Sequence, residues 1–220
     1  MAYVKTTFRV LIFVLVGGLL HYVLPQHDIV RITGTEVIRT DFSSFNRIFY
    51  AQADSGNNEL TTRDLRLINT QKRKTFLLGF IPRDSEEVMV YRNEDTGWIW
   101  PPYFKFDSSD LQAAAEANIS PPGQENWAVL THYGWRNRFF TIYPNAIGIR
   151  PVDGPDVQII PWFNIFFFAF LLVAGLTVRG MWRQFRERNL DPALDNFTDA
   201  TDAASARARG SFSRWFGRRR

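Results

Sequence analysis

The 220-residue chain contains no cysteine and only three histidines, His21, His27 and His132. Without thiols, no disulfide can brace it in an oxidising compartment, and no zinc site with full Cys and His ligation can form. Three dispersed histidines give no ligand spacing of their own, so neither a metal nor a cofactor is expected. Also missing are a nucleophile elbow, a phosphate-binding glycine loop, a dinucleotide fingerprint and a Ser-His-Asp arrangement. Enzymatic function therefore has no motif behind it, with one apparent exception taken up below.

Long charge-free runs are present twice, near the two ends. The first, VLIFVLVGGLLHYVL, covers Val10 to Leu24. The second, WFNIFFFAFLLVAGLTV, covers Trp162 to Val178, with Pro161 and Trp162 at one end and Arg179, Trp182, Arg183, Arg186 and Arg188 past the other. A spanning helix needs ~20 apolar residues, and aromatic residues mark the two membrane interfaces. Residues 10–24 and 159–178 are therefore expected to be transmembrane helices. His21 to Pro25 offer no small-x-small cleavage pattern, so the first is expected to be an uncleaved anchor and not a removed signal peptide. Gly17-Gly18 and Ala174-Gly175 would allow close helix contact within the bilayer.

Charge sets the orientation. Residues 179–220 hold ten Lys and Arg against five Asp and Glu, and residues 1–9 hold Lys5 and Arg9 with no acid. Residues 25–158 hold 14 basic and 17 acidic side chains. Basic ends stay on the cytoplasmic side. A membrane protein is expected, with residues 1–9 and 179–220 cytoplasmic and residues 25–158 forming an extracytoplasmic domain, which would be periplasmic in a bacterial inner membrane.

Within 25–158 the patterning is mostly that of strands. HDIVRITGTEVIR (27–39) is β-branched, with Gly34 at a bulge or bend. RDLRLIN (63–69) alternates Leu65 and Leu67 with arginines. EVMVYR (87–92) and WIWPPYFKF (98–106) flank Asn93 to Gly97 and are expected to pair as a hairpin. DSSDLQAAAEAN (107–118) has Asp or Ser as N-cap and several alanines, stopped by Pro121-Pro122-Gly123, which predicts a short helix. WAVLTHY (127–133), RFFTIY (138–143) and AIGIRPV (146–152) follow as strands. The expected fold class is α+β, mostly β: a small OB-like or partly open β-barrel between two transmembrane helices. The apolar run Phe76 to Ile81, set between basic residues, fits either a core strand or a loop on the lipid surface.

The exception is Asp95-Thr96-Gly97, the tripeptide of aspartic proteases. Such an enzyme needs two carboxylates sharing a proton, and this chain has the tripeptide once. Asn-Glu-Asp-Thr-Gly is also what a hairpin turn favours, and that structural role is the expectation, with a membrane-bound hydrolase using Asp95 as the lesser alternative. Trp98, Trp100, Tyr103 and Phe104 form the candidate binding surface, with Trp127, Tyr133 and Trp135 as either further platform or core. Pro101-Pro102 would place their strand at a sheet edge.

The segments HDIVRITGTEV (27–37), VYRNEDTGWIWPPYFKFDSSDLQA (90–113), YGWR (133–136) and YPNA (143–146) resemble a family of bacterial two-pass membrane proteins known as domain of unknown function 1523. The resemblance covers about residues 20–155. It implies the two-pass architecture and brings no activity with it.

The tail divides in two. Asp191 to Asp202 is polar and acidic and is expected to be disordered. Ser205 to Arg220 carries Arg207, Arg209, Arg214, Arg218, Arg219 and Arg220 with Phe212, Trp215 and Phe216 at helical spacing, the pattern of an interfacial helix on anionic lipid headgroups. The expected partners are the bilayer and a membrane protein, without nucleic acid. The expected function is a non-enzymatic accessory or scaffold for a membrane or envelope complex, with an envelope ligand-binding module using the Trp98 to Tyr103 surface as the alternative.

Overall fold

A computed structural model of the protein describes residues 2–41, 62–76, 81–98, 101, 103–121 and 123–216. By contacts the chain forms two units, Met1–Asn164 and Ile165–Arg220. In the first, helix α1 (Ala2–Val23) leads into β1 (Gln26–Asp41), β2 (Thr62–Phe76), β3 (Ile81–Arg92), α2 (Ser108–Ala117), β4 (Trp127–Tyr133) and β5 (Asn145–Val152). Helix α3 (Trp162–Phe185) begins in this unit and continues into the second. A π-helical turn at Arg186–Leu190 and helix α4 (Asp191–Phe216) complete the described chain.

The five strands form a mixed sheet ordered β1-β2-β3-β5-β4, and β4 pairs back to β1. All neighbours are antiparallel except β3 and β5, which meet through one parallel pair, Arg92 with Asn145. That thin seam leaves a strongly curled mixed sheet and not a clean barrel. As Gly34 predicts, the register of β1 against β2 shifts between Ile32 and Gly34, letting one long strand serve two neighbours.

Period-two patterning fills the core. Val30 and Ile32 of β1, Ile68 of β2, Tyr91 of β3, Leu130 of β4 and Ala146 of β5 are fully buried, and Ala115 of α2 closes one end. Each such aliphatic side chain contributes roughly 1.5–3 kcal/mol on burial. Helix α2 starts where expected, because the Asp107 carboxylate accepts from the backbone N–H groups of Ser109 at 2.9 Å and Asp110 at 3.3 Å. This N-cap contributes about 1 kcal/mol.

Three expectations are corrected. The described residues of Trp98 to Phe106 do not form a strand, and among the described residues none of them pairs with β3, whose neighbours are β2 and β5. Instead the chain folds back on itself, with Thr96 and Gly97 both donating to the Lys105 carbonyl, at 3.0 and 2.9 Å. Pro101 is accordingly buried in a loop and not placed on a sheet edge. Arg138 to Tyr143 is likewise no strand but a turn closed by reciprocal backbone hydrogen bonds between Asn137 and Ile142. Thr141 there has φ 52°, a left-handed conformation incompatible with a strand.

The third correction concerns the second unit. Asp191 to Asp202 is helical, the first half of α4. Its polarity does not break the helix: Ala193 and Ala200 supply propensity, and the Thr198 and Thr201 hydroxyls are satisfied by carbonyls of the preceding turn. The expected interfacial segment continues this helix in backbone as far as Phe216. Arg207 is exposed. The side chains of Arg209, Phe212, Arg214, Trp215 and Phe216, all of Arg218 to Arg220, and residues 77–80 of the ambiguous Phe76 to Ile81 run lie outside the described residues. Among the described residues two helices, one over Tyr3–Val23 and one starting at Trp162, are long and apolar enough to cross a membrane.

Candidate functional site

Proline ends α1: Pro25 has no N–H, so the helix must stop and leave its last carbonyls to be satisfied elsewhere. The domain supplies the donors. Gln26 Nε2 donates to His21 O at 2.8 Å, Gly134 N to Tyr22 O at 2.9 Å, and the Tyr103 hydroxyl to Val23 O. The Asn164 amide of α3 donates to Pro25 O at 2.9 Å. Gly134 adopts φ +90°, and a Cβ there would lie 3.5 Å from the Tyr22 ring. The position therefore favours glycine for its conformation and not for space, since 3.5 Å is an ordinary van der Waals contact.

Aromatic rings surround this joint. Tyr22 meets Tyr133 and Trp135 edge to face, with centroids 6.3 and 5.4 Å apart. Tyr103 stacks on Tyr133 at 4.8 Å. The Trp135 indole N–H donates to His21 Nδ1 at 2.8 Å, and its ring covers Gly18. Helix α1 and the β domain are thus joined through several fixed contacts and not through a flexible linker.

Beneath the rings lies a buried polar cluster built largely from residues 91–108. Arg92 and Glu94 form an ion pair at 3.2 Å, each side chain only 4% exposed. Arg92 also hydrogen-bonds the Tyr22 hydroxyl. The Asn145 side chain brackets Glu94, its Oδ1 accepting from Glu94 N at 2.9 Å and its Nδ2 donating to Glu94 O at 3.0 Å. Asn93 Nδ2 donates to Ser108 O and Gln112 Oε1, both at 2.8 Å. Lys105 turns inward and donates to Asn93 Oδ1 and, at 2.8 Å, to Ala146 O. Burial lowers the Lys105 ammonium to about 7 against the opposing pull of the Asp95 and Glu94 charges.

The Asp-Thr-Gly tripeptide belongs to this cluster. Ser108 Oγ donates to Asp95 Oδ2 at 3.3 Å and accepts from Arg66 at 2.6 Å. Gly97 has φ 52° and makes the turn toward Lys105.

A second buried cluster lies between β1, β3 and β4. Asp28 Oδ2 accepts from the Tyr91 hydroxyl at 2.6 Å, from His132 Nε2 at 2.9 Å and from Lys72 at 3.4 Å. Burial alone would raise this carboxyl. The hydrogen bond and attraction of His132, the Lys72 ammonium and the Tyr91 hydroxyl outweigh it and hold Asp28 well below the usual carboxylate range. Burial first, and then the Asp28 charge and hydrogen bond, raise the Tyr91 hydroxyl. Beside His132 and Lys72 opens a cleft of about 630 Å³, which Trp135, Arg138 and Phe139 also line. Asp28 is buried, and His27 turns away to Thr131 Oγ1 at 2.9 Å. Parity carried the signal, since residues 28, 30 and 32 share one face of β1.

The candidate binding surface divides. Trp98 is 80% exposed and touches Phe104 and Phe106, both more than half exposed, at centroid distances of 5.3 and 5.6 Å. Inward Lys105 between outward Phe104 and Phe106 explains the exposure: anchoring the lysine aims both rings out. Phe104 holds φ 51° to do so. Tyr103 instead belongs to the helix joint, Trp127 and Tyr133 to the interior. Trp100 lies outside the described residues.

Comparison with known proteins adds a family without an activity. The family described as Protein of unknown function (DUF1523) matches residues 1–186. A Haemophilus influenzae protein named only as uncharacterized is 36% identical over 168 residues, which is 74% of this chain and 84% of that one. No solved structure matches.

Proposed function

The chain belongs to the DUF1523 family of proteins of unknown function, and from that premise, which supplies no activity, we propose that it is a non-enzymatic two-pass inner-membrane scaffold. In this reading both termini are cytoplasmic, and the periplasmic β domain is presented to a membrane-protein partner. Strand order β1-β2-β3-β5-β4, with a parallel β3–β5 seam and a helix between β3 and β4, supports an OB-like classification of that domain.

The observation that carries the proposal is the joint at the end of α1. A domain meant to roam would be tethered by an open linker, whereas here three donors and a ring of aromatics fix it to the helix. Such a joint holds the exposed Trp98, Phe104 and Phe106 rings at a set height and direction from the bilayer. Trp and Phe in a contiguous exposed group are the residues that dominate protein-protein affinity. Asp95 is engaged by Ser108 within the domain wall, which favours a structural role for the tripeptide over hydrolysis. The basic segment Ser205 to Arg220 is assigned to the anionic inner leaflet, on charge.

Co-purification in mild detergent tests the proposal. The wild-type chain is expected to bring down a stoichiometric membrane protein, and Trp98→Ala combined with Phe106→Ala to reduce its recovery at least tenfold (~1.4 kcal/mol or more) while the circular dichroism spectrum stays unchanged. No partner with the wild type, together with saturable binding of a small molecule at Trp98, would replace the scaffold by a ligand-binding module.

A further inference from the structure

The turn following β4 exposes large apolar side chains. Phe139 is 97% exposed, Phe140 47% and Trp135 45%. The turn is nevertheless held firmly. Asn137 and Ile142 exchange backbone hydrogen bonds at 3.0 and 2.9 Å. Arg136 Nη1 donates to the carbonyls of Asn137 and Ile142, and its guanidinium lies 4.2 Å from the centre of the Tyr143 ring. Asn137 Oδ1 accepts from Phe140 N at 3.2 Å. A braced turn that points Phe139 into the surroundings is a costly feature for a water-facing surface.

Its position along α1 gives the reason. The Trp135 ring lies 3.8 Å from where a Cβ on Gly18 would sit. Gly18 is five residues before the end of the candidate span Tyr3–Val23, or about 7–8 Å inside it at 1.5 Å per residue. That span is about 31 Å long, which matches the ~30 Å hydrocarbon thickness of a bilayer. The tip of the Trp135 ring thus reaches back to Gly18, while its indole N–H bonds His21, two residues or about 3 Å from the end of the span, the level where tryptophan indoles prefer to lie. Arg136 and Arg138 alternate with these apolar residues, as expected where a loop meets lipid phosphates.

We propose that the turn from Gly134 to Ile142 is a membrane-contacting loop that sets Trp135, Phe139 and Phe140 into the interfacial zone of the outer leaflet beside α1, with Arg138 at the phosphate level. The inference rests on the reading of α1 as a membrane span. It gives the domain a second hold on the bilayer and fixes its tilt, so that Trp98, Phe104 and Phe106 face a partner at a defined angle.

The cysteine-free chain permits a direct test. Single spin labels are placed at Phe139→Cys, at Val10→Cys in α1 and at Glu36→Cys on the exposed part of β1, in the full chain reconstituted into phosphatidylcholine–phosphatidylglycerol vesicles. Collision rates with oxygen and with a neutral nickel chelate report depth. The expected oxygen-to-nickel ratio at Phe139 is several-fold above that at Glu36 and below that at Val10. A Phe139 ratio equal to that of Glu36, with Val10 deep, overturns the inference and leaves the span intact. A Phe139 label shielded from both reagents indicates a protein covering the turn and also overturns it. If Val10 itself matches Glu36, α1 is not in the membrane, and the reading on which the inference rests falls separately.

Discussion

Replacing Asp28 by alanine is expected to destabilise the protein by roughly 3–5 kcal/mol, the range for removing one member of a buried charged network. The Asp28 carboxylate is the common acceptor for Tyr91, His132 and Lys72. Its loss strands a buried hydroxyl and a buried imidazole N–H and leaves Lys72 with Glu87 alone among the described ion-pair partners, at 3.7 Å. Asn at this position keeps one acceptor and should cost less. Urea unfolding in detergent, followed by tryptophan fluorescence, measures both; a loss below about 1 kcal/mol for the alanine variant would show the cluster to be dispensable.

The same residue fixes a pH dependence. Asp28 titrates lower in the folded chain than when unfolded, so its contribution is complete above the unfolded value of about 4 and is lost as the pH falls toward the lowered folded value. His27 acts in the same direction at higher pH. Its pKa is lowered, first by burial and then by its neighbour His132, so its contribution is present above the ordinary histidine value of about 6.5 and is lost below it. Lys105, lowered to about 7 by burial, acts in the same direction at still higher pH. Stability should therefore decline on acidification first through Lys105, then through His27 and last through Asp28, and Asp28→Asn should remove the lowest stage.

The second large effect is expected at the buried pair under the helix joint. Arg92→Met leaves Glu94 charged in a site where both side chains are 4% exposed, and Glu94→Leu does the same to Arg92, each at a cost of roughly 3–5 kcal/mol. The double variant should recover about 2 kcal/mol or more of the summed loss, since no lone charge is left behind. Recovery should be incomplete because Tyr22 loses the Arg92 hydrogen bond. Asn145 holds the Glu94 backbone and not its carboxylate, so the loop should keep its course in all three variants. Additive losses would mean that the two charges are stabilised independently of each other.

These two clusters also mark the limit of what is legible in sequence. Local signals were sufficient where one segment determines its own structure: the bulge at Gly34, the Asp107 cap of α2, and the inward Leu65 and Leu67 all appear as their patterns predict. Trp98 to Phe106 misled because its aromatic residues satisfy strand propensity, while its path is decided by Lys105 reaching Asn93 and Ala146. Phe139 and Phe140 read as strand for the same reason, although their side chains lie outside the core. The Asp28 cluster joins residues 28, 72, 91 and 132, and no spacing rule brings four strands' worth of partners together without the fold. Of the proposed surface, Trp98 and Phe104 were identifiable as exposed aromatics. The roles of Tyr103 and Trp135 at the α1 joint depended on knowing where the helix stops and what meets its last carbonyls.

The proposed scaffold role requires the β domain to be held outside the cytoplasm by helices whose other ends lie within it. Impermeant maleimide labelling of intact cells carrying Ser109→Cys, in the exposed first turn of α2, or Ser205→Cys, exposed on α4, tests that arrangement in a chain with no other thiol. The account predicts labelling at position 109 in intact cells and at position 205 only after permeabilisation. Labelling of intact cells at 205 with protection at 109 would contradict it.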